Sequence, residues 1–172
     1  MKIITYQSAA VLKILQRGEI YRAKPSIAYA GEYKALIDIL GLQCECPVFG
    51  VVKGRKQNTG GKVSGAVKII LDVPDKHVKL TEYSVWADFL YAYKFTKPSN
   101  YKVLQADSEE VSVRKYKEIL NDLKHQRKLE QYEYPQAILE KINPVWMKGY
   151  KKMSTRLSGG IFGEKFKNLF RK

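Results

Sequence analysis

In the run VSGAVKIILDVP, Val63 to Pro74, apolar side chains fall at every second position: Val67, Ile69, Leu71 and Val73. Successive side chains of an extended chain point to opposite faces, so this spacing predicts a strand with one buried face. Other stretches read the same way. KIITYQS at the start is apolar and β-branched, and CPVFGVVKG and the shorter EIYRA and KLTEY also predict strands, EIYRA being closed by Pro25. Helical spacing lies between them. Ser8 stands as an N-cap before Val11, Leu12 and Leu15, and Gly18 fits the stop. A second helix is expected from Tyr29 to Leu40, with Leu36, Ile37 and Leu40 as its stripe and Gly41 after it. SVWADFLYAY predicts a third from about Ser84.

The second half changes character. Asp107 and Glu110 have capping-box spacing, and Val113, Tyr116, Ile119, Leu120 and Leu123 mark an amphipathic helix to about Glu130. YPQAILEKI suits a strand or a helix. A chain of 172 residues can bury a real core within one domain. The expectation is a single α+β domain over residues 1–147, a mixed or antiparallel sheet flanked by helices, followed by a helical basic arm over 148–172.

Charge narrows the function. Thirty-one Lys and Arg oppose 17 Asp and Glu, giving +14. Such an excess favours an anionic partner. It is also uneven: from Lys148 to Lys172 there are eight basic residues and one acid, Glu164, which is half the net charge. Ser158-Gly159-Gly160 reads as a joint, and Phe162, Phe166, Leu169 and Phe170 recur beyond it at helical spacing. Such a segment suits a nucleic-acid arm, an interfacial membrane helix or a helix docking on a protein partner.

GRKQNTGGK, Gly54 to Lys62, has the glycine and lysine content of a phosphate-cradling loop. A P-loop, however, needs four residues between its glycines and a Ser or Thr after its lysine. Here five residues separate Gly54 from Gly60, and Val63 follows Lys62. A P-loop also opens a helix, whereas this run leads from strand to strand. A hairpin loop is therefore expected, turned by Asn58, Gly60 and Gly61, with Lys53, Arg55, Lys56 and Lys62 as a cationic finger for phosphates.

No catalytic constellation stands out. His77 and His125 lie in polar surroundings, and Glu82, Asp88, Glu133 and Glu140 form no distinctive pair. Cys44 and Cys46, one residue apart, fall short of the four ligands of a zinc site, so reduced thiols in a cytoplasm are expected. No signal peptide and no apolar run of membrane-spanning length is seen.

At LDVPDKHVKLTEYSVWADFL the sequence resembles a family of small bacterial and phage proteins of unknown function. Thr5 and Gln7 match that family's opening, Pro47 and Phe49 its second motif, and Val73, Pro74, Leu80, Trp86 and Leu90 its third. Thr81, Glu82 and Tyr83 are conservative replacements. Val51 stands where an aromatic is usual, Ala87 replaces a histidine and Tyr91 an asparagine. No catalytic role carries over. IITYQSAAVLKILQRGEIYR is also similar to the strand–helix–glycine–strand opening of ADP-ribosyltransferase-like domains. That likeness implies NAD in a split sheet, with Thr5, Gln7 and Arg22 lining the cleft and Glu140 or Glu133 orienting the ribose.

The leading expectation is a non-enzymatic protein, bacterial or phage, that binds nucleic acid or a nucleoprotein. Its contacts are expected from Lys53, Arg55, Lys56, Lys62, Lys151, Lys152, Arg156, Lys165 and Lys167, without metal or cofactor. The alternatives are the NAD-using transferase and an assembly component whose tail docks a neighbouring subunit.

Overall fold

The computed structural model describes residues 1–25, 30–56, 66–96 and 118–153. The alternating run forms a strand, β3 (Val67–Asp72), and Val67, Ile69 and Leu71 are almost wholly buried while Lys68 and Ile70 are half-buried. Five further strands join it: β1 (Lys2–Gln7), β2 (Val48–Val52), β4 (Lys79–Glu82), β5 (Pro135–Leu139) and β6 (Met147–Lys152). They form one sheet in the order β4-β5-β2-β1-β3-β6, and every neighbouring pair is antiparallel.

Each face of the sheet carries its own core. Against Ile3, Val48, Val67, Ile69, Leu71 and Leu139 packs α1 (Ala9–Gln16), with Val11, Leu12 and Leu15 turned inward. Ser8 caps α1 by accepting from Val11 N (3.4 Å), and Gly18 follows the helix at φ +79°, which a residue without Cβ adopts at little cost. On the other face lie α2 (Ala30–Leu40), α3 (Tyr83–Thr96) and a helical stretch over 118–124, which we call α4. Leu36, Phe89 and Leu123 pack there on Ile138. Phe49 of β2 stacks on Trp86 (ring centroids 5.9 Å apart), and Trp86 stacks on Phe89 (5.5 Å). Burying a side chain of this size contributes roughly 1.5–3 kcal/mol. At the sheet centre β1 and β2 approach so closely that a Cβ on Gly50 would meet Ile3 Cγ2 at 2.5 Å.

Several expectations need correction. EIYRA makes only a single antiparallel bridge, Tyr21 with Ile142, because the partner chain turns at once into the 3₁₀ turn Pro144–Trp146. The amphipathic helix ends at 124 rather than near Glu130. Tertiary bonds draw the chain away there: Gln126 bonds the backbone of Leu80, and Arg127 N donates to Tyr132 Oη (3.0 Å). YPQAILEKI resolves as a strand inside the sheet, β5. Tyr29, Asp107, Glu110, Val113 and Tyr116 lie outside the described residues.

The strands that flank the basic loop do not form a hairpin, and Asn58, Gly60 and Gly61 lie outside the described residues. β1 lies between β2 and β3, and both run antiparallel to it. Val52 ends β2 opposite Ile3, whereas Val67 begins β3 opposite Gln7. Residues 53–66 therefore connect opposite ends of the sheet. A glycine-rich run serves a turn or a crossover equally well, and here the strand order decides between them.

The sheet's two edges differ. On β4, Leu80 N donates to Gln126 Oε1 (2.9 Å) and Gln126 Nε2 donates to Leu80 O (3.0 Å). On β6 the edge strand reads MKGYKK, with lysines of the kind that blunt unwanted pairing. Among the described residues no helix is long and apolar enough to cross a membrane.

Candidate functional site

The helices of the second face cover β4, β5 and β2. Toward β6 that face is different. Tyr6 pairs with Lys68, and Lys68 pairs with Lys151, so the three side chains form one row across β1, β3 and β6. The next row on the same face is Ile4, Ile70 and Gly149. Tyr6, Lys68, Ile70 and Lys151 belong to neither core. The first three are half-buried and Lys151 is exposed.

The row is electrostatically unusual. Like charges directly opposite on paired strands destabilise a sheet. Lys68 and Lys151 are so placed, and among the described residues no acid pairs with either. Gly149 adds a gap, because among the described residues a Cβ built there meets nothing within 4 Å.

The row lies next to a clasp between the ends of two segments. Val67 pairs with Lys152, and Met153 N donates to Ala66 O (3.0 Å). Ala66 ends the glycine-rich connection, and Met153 is where the basic C-terminal segment begins. Lys148 to Lys152, expected in the arm, are the last five residues of β6.

The expected contact residues do not gather in one place. Lys53 is exposed beside the start of β1, its N–H donating to Lys2 O (2.9 Å). Lys151 and Lys152 stand at the other end of the sheet. Arg55 turns inward, donating from Nη2 to the carbonyls of Tyr132 (2.6 Å) and Leu129 (3.4 Å). Lys56 pairs with Glu133 (3.0 Å), which raises the pKa of its ammonium, and lies over the Tyr134 ring at 5.7 Å. Lys62, Arg156, Lys165 and Lys167 lie outside the described residues. Tyr6, Lys68 and Gly149 were missed by sequence reasoning. The signal for Lys68 was present, since it occupies an outward position of the alternating run, but its partners follow only from the register.

The residues of the NAD reading are placed as follows. The sheet is continuous rather than split. Thr5 is buried, its hydroxyl donating to Phe49 O (2.7 Å) and accepting from Gln7 Nε2 (2.7 Å). It lines no cleft. Arg22 lines a groove with Lys24, Gln43, Cys44 and Glu45. Glu140 accepts from Gln43 N (2.8 Å), holding that loop, while Glu133 stands at the opposite end of β5. Burial, reinforced by Glu140 and Cys46, pushes the Cys44 thiol up to about 11, and Arg22 offsets this only in part. Both cysteines are free thiols. Among the described residues no group of three or more His, Cys, Asp or Glu is placed to hold a metal.

Comparison with protein-family models, with curated proteins and with solved structures finds no match for the chain.

Proposed function

We propose that this protein binds nucleic acid at the corner where β3 and β6 meet, by neutralising phosphates and without performing a reaction. The observation that carries the reading is the Tyr6–Lys68–Lys151 row beside the Ala66–Met153 clasp. Two lysines held opposite each other, with no acid partner among the described residues, repel until an anion lies between them, so a phosphate would relieve a cost built into the fold. An adjacent half-exposed tyrosine offers a face on which a base can stack.

In sequence the clasp adjoins further charge: Lys62 is four residues from Ala66 and Arg156 three from Met153. The net charge of +14 supplies the long-range attraction. Arg55 and Lys56, already engaged with the protein, are not part of this surface.

The test is a titration of a labelled oligonucleotide against protein over a range of salt concentrations. Counterion release predicts that log K falls linearly with log salt, by about 0.7 to 0.9 per phosphate neutralised. The doubly substituted K68A/K151A protein should show a slope shallower by about 1.4 to 1.8. A wild-type protein that binds no oligonucleotide at low salt, or a double variant with an unaltered slope, would overturn the reading.

A further inference from the structure

The lysine row accounts for phosphate; the row beneath it bears on which form of nucleic acid is bound. Ile70 is half-buried and belongs to neither core, and Gly149 lies directly opposite it on the edge strand. Among the described residues the positive-φ glycines are Gly18, Gly41 and Gly54, so Gly149 is not required by a left-handed backbone. Nor is it required by crowding, since among the described residues nothing lies within 4 Å of a Cβ placed there. A glycine inside a strand costs stability, and it often marks a bulge or a place where a ligand comes close. Here the pairing does shift register between Ile70 and Leu71, next to Gly149, and the open space over the glycine is what a ligand could use. The missing side chain leaves a shallow trough over the Gly149 backbone: Ile70 flanks it on β3, Lys68 and Lys151 form the next row along the strands, and Tyr6 stands diagonally beyond Ile70 on β1.

Adjacent strands are about 4.8 Å apart and alternate residues along a strand about 6.6 Å apart. The trough is thus about the width of one aromatic ring. It is apolar, and the groups beside it are cationic. That combination matches a nucleobase whose own phosphates reach Lys68 and Lys151. A base in a duplex is stacked and paired, and so cannot enter; an unpaired base can.

Resting on the reading above, we infer that the Tyr6–Ile70–Gly149 trough seats an unpaired base, so that the ligand class is single-stranded nucleic acid. The lysines supply affinity for any phosphate chain, and the trough supplies the preference for an unpaired one.

The experiment compares fluorescence anisotropy of a single-stranded oligonucleotide of about 12 residues with that of a duplex of the same length. Wild type should favour the single strand. G149V fills the trough with no backbone strain, and it should weaken single-strand binding by about tenfold while leaving duplex binding and the salt slope as they were. Tyr6→Leu, which keeps bulk but loses the ring, should weaken the single strand at least about fivefold, and Tyr6→Phe should restore it. Thermal unfolding should place G149V at or above wild type. If G149V and Tyr6→Leu both bind the single strand as wild type does, the trough inference falls while phosphate binding stands. If wild type binds neither form, both fall together.

Discussion

Replacing Lys151 with glutamate sets stability against binding. Lys151 faces Lys68 directly across the β3–β6 pair, and no acid neutralises either among the described residues. The substitution turns a repulsive cross-strand pair into an attractive one. Such pairs are worth roughly 0.2–1 kcal/mol each way, and solvent screening of an exposed partner pulls the sum down, leaving a gain of about 0.5–1 kcal/mol. For a domain of this size that raises Tm by about 1–4 °C. The formal net charge falls by two from +14. Binding should move the other way. One lost phosphate contact removes about 0.7 from the single-strand salt slope, or about fivefold in affinity at 0.1 M salt relative to 1 M, and the new carboxylate adds repulsion beyond that. Differential scanning fluorimetry and salt-dependent anisotropy measure the two effects on one preparation. A K151E protein that melts lower than wild type would mean the two side chains do not face each other. One that melts higher and keeps the wild-type slope would mean that the row does not touch phosphate.

Arg55→Ala should behave in the opposite sense. It removes the bonds from a half-buried guanidinium to the Tyr132 and Leu129 carbonyls, costing about 1.5–3 kcal/mol in a urea melt, and it should leave the salt slope unchanged. Cys44 should alkylate slowly at neutral pH, because burial keeps its thiol protonated, with the rate rising until about pH 11. A folded-state pKa above the unfolded value adds stability that is fully present below about pH 9 and is lost as pH climbs toward 11. A Cys44→Ser protein should lack that part of the alkaline decline in a pH series of urea melts.

Local chemistry was legible in the sequence. The alternation of β3, the Ser8 cap and the glycines closing α1 and α2 each follow from a few neighbouring residues, and the structure places them as expected. Relations between distant residues were not. Lys68 and Lys151 are 83 positions apart in sequence yet directly paired, and only strand order and register bring them together. The same limit explains the basic loop. Its composition gives the propensity to turn, but whether β2 and β3 are neighbours depends on β1 lying between them. It explains the charged side chains too: Arg55 and Lys56 look like free cations until the segment leading into β5 supplies the Leu129 and Tyr132 carbonyls and Glu133.

The amide of Gln126 gives β4 the one donor and one acceptor that another chain would have offered to Leu80. A side chain thus stands in for a seventh strand at that border, while at the opposite border the described residues offer the repulsion of lysines. Two chemistries answer one problem: an amide occupies the border at Leu80, and like charge guards the border along MKGYKK.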